Sequence, residues 1–224
     1  MKYYDYMEIL YTKTGEIILK EDKYDIYIQD PEFIELLANA KHIQLDDEFN
    51  RALDFLPHGI ISIYTGAKFN QPLNNLPLSV KIIKISYYIS SMYDWQCNFN
   101  QELNGLHYGV EQLVLINANN GNYHKPIDNL PPTLKYLKII NSLFSEVVNG
   151  DSLVDINMLP NSLYTLELSY VNVSFNVKRL PERLINMKIK PGHHDCHLRE
   201  KWIQEGYKML NEVKPNLNLL IARL

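Results

Sequence analysis

A run of potential metal ligands lies near the C-terminal end of the sequence, at His193-His194-Asp195-Cys196-His197. Imidazole, carboxylate and thiolate groups all bind zinc, and a structural zinc site uses about four ligands with loop-compatible spacing. Adjacent residues do not readily turn toward a single ion. We therefore expect no metal site here, and we expect Asp195 to cap the helix that follows it.

Motifs that would predict catalysis are missing from the sequence. It has no glycine-rich phosphate loop and no nucleophile elbow. Single Ser, His and Asp residues occur, but their presence alone does not predict a triad. The two cysteines, Cys97 and Cys196, are far apart and are expected to be free thiols. We predict a protein that is not an enzyme and that has no cofactor.

The composition of the chain indicates which classes of partner to expect and where in the cell the protein is located. The formal net charge of −4 gives no reason to expect nucleic acid, which favours a concentrated basic face, or a membrane surface. No apolar run reaches the roughly 18 residues of a membrane-spanning helix. Residues 1–6 contain an acid and three tyrosines where a signal peptide would be apolar. We expect a cytoplasmic protein.

The chain is organised by a repeated pattern. Each copy is anchored on a leucine, usually followed by proline, and apolar residues recur four, seven and nine positions later. For the anchor Leu76 these residues are Val80, Ile83 and Ile85. Positions seven and nine alternate as a strand with one buried face requires. The copies are anchored at Leu36, Leu56, Leu76, Leu106, Leu130, Leu159 and Leu180.

Two further features of the repeat constrain the backbone. An aromatic–asparagine pair precedes several anchors by seven residues, at Phe49-Asn50, Phe69-Asn70 and Phe99-Asn100, with Tyr123-His124 as a variant. Proline after the anchor removes a backbone donor, so a regular helix should not run through that position. We expect short strands on one wall of a coil and extended or 3₁₀ backbone on the other. No turn of such a solenoid buries its apolar face until a neighbour stacks on it.

The unit Phe-Asn-Gln-Pro-Leu-x-x-Leu-Pro-x-Ser-Leu-x-x-Leu-x-Leu resembles the FNIP subclass of leucine-rich repeats. The resemblance is clearest at residues 69–85, 99–115, 123–139 and 159–168. It implies a leucine-rich-repeat solenoid, and a role in binding other proteins. The family is known mainly from amoebae and from giant viruses that infect them, so the resemblance implies host cytoplasm or a virion. Some members carry an F-box, which nothing in this sequence matches.

The predicted fold is α/β and β-dominated, with a leucine-rich-repeat-type solenoid of about seven short parallel strands. Residues 1–29 are predicted to form a β-hairpin cap around Gly15, with a third strand at 24–28. Residues 30–190 contain a helix from Pro31 to about Asn39, capped by Asp30, and the solenoid. Residues 191–224 are predicted to form a cap with a helix at 198–213 and a final strand. We expect all three to form one structural unit.

Two connections between repeats are longer than the others. Residues 86–98 contain several aromatic residues, which form either a packed lid or an exposed contact surface. Residues 141–151 are expected to form a short packed turn of helix.

Function is expected on the side chains that flank the buried strand residues. They must face outward, on the wall that solenoid curvature usually makes a concave recognition surface. The middle of this face is predicted to be an exposed apolar patch with lysines beside it, and such patches tend to mark interaction sites. Alternatively, β-branched residues lie there only because strands favour them, or an insertion covers them. The candidate partner-binding residues are Tyr64, Ile82, Lys84, Gln112, Val114, Ile116, Tyr136, Lys138, Ile140 and Glu167.

These observations predict a non-catalytic scaffold that binds a protein partner on the concave strand face and adjoining loops. One alternative is a substrate adaptor that delivers targets to a ubiquitin ligase through residues 1–29. Another is a self-assembling structural or virion protein, which would form homo-oligomers.

Overall fold

Nine parallel strands of the described residues form one sheet, arranged in sequence order along one wall of the protein. The computed structural model describes residues 15–86, 97–117, 123, 125–141, 155–169, 177–190 and 196–221. The strands are β1 (Glu16–Leu19), β2 (His42–Leu45), β3 (Ser62–Tyr64), β4 (Ile82–Ile85), β5 (Gln112–Asn117), β6 (Tyr136–Asn141), β7 (Thr165–Ser169), β8 (Asn186–Lys190) and β9 (Asn218–Ile221). Every neighbouring pair is parallel, so each turn of the chain stacks on the turn before it.

Helical segments lie mainly at the two ends of the described chain. They are α1 (Tyr24–Tyr27), α2 (Pro31–Asn39), α3 (Cys196–Val213) and 3₁₀ turns at Glu21–Lys23 and Ile156–Met158. The predicted helix α2 is confirmed. The Asp30 carboxylate caps it by accepting the Glu32 N–H at 2.9 Å, and Phe33 and Leu37 are buried.

The register predicted from the repeats is confirmed at all seven copies. The residues four positions after the anchors are fully buried: Ala40, Ile60, Val80, Val110, Leu134, Leu163 and Leu184. The strand residues at positions seven and nine are buried too, from Ile43 and Leu45 in β2 to Met187 and Ile189 in β8. The aliphatic side chains of both sets belong to one continuous core. The repeat strands are β2 to β8, and β1 and β9 add one parallel strand at each end.

The aromatic–asparagine pairs connect successive turns on the opposite wall. The rings of Phe69, Phe99 and Tyr123 stack nearly parallel, with centroid distances of 6.3 and 6.0 Å. The Asn70 side-chain oxygen accepts the Asn100 N–H at 2.9 Å and the Gln101 amide at 3.0 Å. Turn backbone that pairs with no strand must find other hydrogen-bond partners. The asparagine and glutamine side chains supply them.

The same hydrogen bond between asparagines connects the two preceding turns. At the first turn, other side chains replace the asparagine and the glutamine. Asn50 Oδ1 accepts the Asn70 N–H at 2.8 Å. Asn50 N–H in turn donates to Glu21 Oε2 at 3.1 Å, and Arg51 Nε donates to Glu21 Oε1 at 2.8 Å. A carboxylate and a guanidinium therefore take the places of asparagine and glutamine where the repeats meet the N-terminal segment. Arg51 also pairs with Asp25.

His107 replaces the proline that follows the anchor in most copies. Its Nδ1 accepts the Gly109 N–H at 2.9 Å, so the ring fixes the local turn in place of the pyrrolidine ring. Burial lowers the pKa of His107 below its usual value. A lowered pKa favours the neutral imidazole, the form that can accept this bond.

The prediction of a strand at 24–28 was wrong, because this segment forms helix α1. A helical turn brings residues three apart to the same side. Tyr27 can therefore stack on Phe33 at 4.9 Å while Tyr24 meets the edge of Phe49 at 5.6 Å. Alternation in an extended strand would separate the two rings.

The other end predictions have mixed outcomes. Strand β1 pairs in parallel with β2, and the partner strand predicted before Gly15 lies outside the described residues. The C-terminal helix and final strand are confirmed as α3 and β9. Within α3, Leu210 is buried and Val213 is 38% exposed.

Several predictions concern residues that are not described. Residues 87–96, most of the aromatic connection, and 142–154, most of the second insertion, lie outside the described residues. His193, His194 and Asp195 of the potential metal ligands also lie outside them. Among the described residues, no group of three or more His, Cys, Asp or Glu side chains could hold a metal ion.

Replacing Asn70 by alanine should destabilise the coil. The substitution removes the acceptor of the Asn100 N–H and one of the two Asn70 acceptors of the Gln101 amide. We expect the free energy of unfolding, measured by urea denaturation, to fall by about 1–3 kcal/mol, since the part-buried Asn100 N–H loses its partner. Asn70→Asp keeps an acceptor oxygen and should lose less. Equal losses in the two variants would show that these hydrogen bonds do not stabilise the fold.

Replacing Tyr123 by phenylalanine should stabilise the protein. Tyr123 is 4% exposed, and its hydroxyl has no hydrogen-bond partner among the described residues. Burial raises the pKa of Tyr123, as expected for a hydroxyl away from water. We expect the free energy of unfolding to rise by about 1 kcal/mol, because a desolvated polar group is removed. The reverse change, Phe99→Tyr, should destabilise, and a loss of stability in Tyr123→Phe would contradict this account.

Candidate interaction face

The outer strand face comprises the strand side chains that alternate with the buried ones. Its central row contains one residue from each of β2 to β8, and each residue lies beside the next in the strand register: Gln44, Tyr64, Lys84, Val114, Lys138, Glu167 and Lys188. A second row beside it includes Ile82, Gln112 and Tyr136. Ile116 and Ile140 form a neighbouring pair on the other side. The structure therefore brings all ten predicted residues together on five adjacent strands.

Side chains of the central row contact their neighbours across the strands. Lys84 Nζ lies 4.7 Å from the centroid of the Tyr64 ring, a cation–π distance. Glu167 accepts a hydrogen bond from the Tyr136 hydroxyl at 3.1 Å and faces Lys138 Nζ at 3.5 Å. Because the Lys138 and Glu167 side chains are 32% and 27% exposed, their pairing contributes little to stability. These contacts chiefly orient the side chains.

The prediction that Val114 is exposed was wrong, since only 4% of it is accessible. Val114 is a short side chain between the longer Lys84 and Lys138 on the neighbouring strands. Side chains directly across neighbouring strands are close enough to cover it. Ser62 is also fully buried on this face, with its hydroxyl 2.7 Å from His42 Nδ1.

The outer strand face is therefore less apolar than predicted. Ile82, Ile116 and Ile140 are half-buried, while Gln112 is exposed. The surface is a mixture of half-buried aliphatic, aromatic and charged side chains, without a large exposed apolar patch.

Charge is distributed unevenly on the outer strand face. The strands place four lysines there, Lys84, Lys138, Lys188 and Lys190, and the carboxylates Glu16 and Glu167. The face is positive although the whole chain carries a formal charge of −4. Lys188 and Lys190 were not among the ten predicted residues, although the repeat spacing had placed them on this face. The signal that could have identified Lys188 is the lysine spacing along the central row.

The most exposed large apolar side chains lie in the loops that lead into the strands. Leu78 and Tyr108 are 76% and 74% exposed and occupy the same position in successive turns, two residues after the anchor. Pro132 occupies this position in the next turn and is also exposed. The Thr133 hydroxyl donates to the Tyr108 carbonyl, which fixes the backbone there. This column was not among the predicted residues, because the alternation that identifies outward side chains applies only within the strands.

A group of ion pairs lies just before the strands. Glu111 lies 2.7 Å from Lys135 Nζ and 3.4 Å from Lys81 Nζ. The hydrogen bond from Lys135 is the main reason that the pKa of Glu111 lies below its usual value. In the following turns the same column contains Tyr164 and Ile185, which are 48% and 45% exposed.

The opposite wall carries a polar groove of about 530 Å³ lined by Asn70, Asn74, Asn100, Gln101, Glu102 and Lys125, among others. Asn70 and Gln101 already hydrogen-bond between turns. The groove is therefore built from groups that hold the coil together. None of the helices in the described part of the chain is both long enough and apolar enough to cross a membrane.

Val114→Ala should lower stability as a core substitution does. The loss of buried methyl groups, at about 0.8 kcal/mol each, predicts a fall of about 1–2 kcal/mol in the free energy of unfolding, measured in urea. The control is Leu78→Ala, which also shortens an apolar side chain but at an exposed position, and which should change stability by less than about 0.5 kcal/mol. Similar small effects in both variants would show that Val114 is accessible to solvent.

Comparison with known proteins identifies one part of the chain. Residues 49–88 match the family model described as FNIP Repeat. No curated protein and no solved structure matches the chain. The matched residues span the Phe49-Asn50 and Phe69-Asn70 pairs and strands β3 and β4, so the match covers two of the stacked turns. Residues 49–88 of this chain are therefore an FNIP repeat segment.

Proposed function

We propose that the protein is a non-catalytic interaction scaffold that binds a partner protein on the outer strand face and on the loops beside it. The observation that supports this proposal best is the row of outward side chains on seven successive repeat strands, of which only Val114 is buried. Repeat solenoids present extended surfaces of this kind for recognition. The FNIP repeat segment contributes Tyr64, Ile82 and Lys84 to the face.

The composition of the face suits a protein partner. Interfaces between proteins that also exist separately combine apolar and aromatic centres with polar rims, and aromatic residues are enriched among their strongest contacts. Tyr64 and Tyr136 supply aromatic rings, and both are only partly buried. Leu78 and Tyr108 extend the accessible apolar surface into the loops.

The partner would bind to a surface that is already ordered in the free protein. Each strand is hydrogen-bonded to its neighbours in the sheet, so the spacing between rows is fixed before a partner arrives. A surface ordered in advance loses little conformational entropy on association. Affinity would then depend on how well a partner fits the rows.

The other expectations remain proposals. A role as a ubiquitin-ligase adaptor depends on residues 1–29, of which 15–29 are described. Within that range β1 extends the sheet and α1 packs on the core. Self-assembly and a location in host cytoplasm or a virion are also proposals. We propose neither nucleic acid nor a membrane as the partner.

Ile82→Glu should abolish partner capture while leaving the fold intact. Ile82 is half-buried on the outer strand face, so a carboxylate there would disrupt an apolar contact at modest cost to the coil. The matched control is Ile34→Glu, which makes the same change on the solvent side of α2, where Ile34 is 51% exposed. Proteins captured from native lysate by the unaltered chain and by each variant would be compared by mass spectrometry, alongside thermal melting.

The control variant should recover the same partners as the unaltered protein. If both variants recover them equally, the outer strand face is not the binding surface. If Ile82→Glu lowers the melting temperature as much as it lowers binding, this position belongs to the core.

A further inference from the structure

The lysines of the central row have a regular spacing. Lys84, Lys138 and Lys188 lie on β4, β6 and β8, on every second strand. Neighbouring strands are about 4.8 Å apart, so lysines two strands apart start from backbone positions about 9.6 Å apart. Val114 and Glu167 occupy the same row on the strands between them.

This spacing matches one regular peptide conformation. A polyproline II helix has three residues per turn and rises 3.1 Å per residue, so every third side chain lies on the same side at intervals of about 9.3 Å. In a β-strand, residues three apart point to opposite faces. An α-helix returns to the same side after seven residues and about 10.5 Å, and this mismatch grows along the row.

We propose that the partner segment of the outer strand face is an acidic polyproline II segment with a carboxylate at every third residue. It would cross the strands along the central row, with its carboxylates over Lys84, Lys138 and Lys188. This inference rests on the proposed function and specifies the chemistry of the partner.

Charge and shape both support this occupant. The face is positive on a chain whose formal charge is −4, so an acidic segment is complementary to it. Lys188 has no hydrogen-bond or ion-pair partner among the described residues. Tyr64 lies in the row between Gln44 and Lys84, and aromatic side chains form the grooves that hold proline-rich segments.

Glu167 disfavours a ligand carboxylate at the position between Lys138 and Lys188. It is the one carboxylate of the central row, between Lys138 and Lys188, where the segment would present its uncharged residues. Its side chain is 27% exposed, and its carboxylate contacts the Tyr136 hydroxyl and Lys138 Nζ. Removing its charge should therefore strengthen binding of an acidic segment.

The test uses two labelled peptides of the same composition. One is five repeats of Glu-Pro-Pro, and the other contains five consecutive glutamates followed by ten prolines. Fluorescence anisotropy with the full chain should show tighter binding of the periodic peptide by roughly tenfold. That preference should persist at about 0.15 M salt, where long-range attraction between charges is largely screened.

Three variants locate the peptide. Lys138→Glu should weaken binding of the periodic peptide by roughly tenfold or more, and Glu167→Gln should strengthen it. The matched control is Lys135→Glu, which makes the same charge change at a side chain 59% exposed just before β6. It should weaken binding by less than about threefold, because only long-range charge is altered.

Equal affinity for the two peptides, no binding of either, or equal weakening by Lys138→Glu and Lys135→Glu would overturn this inference. Tighter binding of a single-stranded oligonucleotide than of the periodic peptide would overturn it too. If the peptide fails while Ile82→Glu still abolishes partner capture, the scaffold function stands and the partner has other chemistry. If Ile82→Glu has no effect on capture either, both proposals fail.

Discussion

Each turn of this protein depends on the next turn for both its hydrogen bonds and its dry core. On one wall the dependence is the parallel strand ladder, and on the other it is the asparagine side chain that accepts a backbone N–H of the following turn. Between them, residues such as Val80 and Ile83 are fully buried only because neighbouring turns cover them. Stability in such a coil is close to a sum of turns and of the contacts between neighbours.

This dependence explains why so much of the fold could be predicted from the sequence. A turn that must stack on near copies of itself repeats its buried positions, and the repetition is visible without coordinates. The helix α2 was equally accessible, because its cap at Asp30 and its first residue Pro31 are local signals. Helix α1 was missed because Tyr24 to Ile28 alternates like a strand, and only the rings of Phe33 and Phe49 decide otherwise.

The position of the outer strand face was predicted from the sequence, but the solvent exposure of its side chains was predicted less well. Alternation along a strand determines which side chains face outward, and all ten candidates do so. The exposure of a side chain depends on the length of its neighbours on adjacent strands. The repeat pattern contains no information on that length. Val114 is hidden because lysines flank it on both sides, and Ser62 is covered although its position in the repeat is outward. Solvent accessibility on this face is thus a property of rows across the sheet.

Glu21 and Arg51 give the first turn a distinct identity. Turns anchored 20 residues apart, such as those at Leu56 and Leu76, have the same length and the same apolar positions. A mis-stacked chain that skipped one of them would bring Gln71 to Glu21 and leave the Arg51 guanidinium without its carboxylates. The ion pairs of Arg51 with Glu21 and Asp25 therefore favour the native order of turns over this alternative stacking.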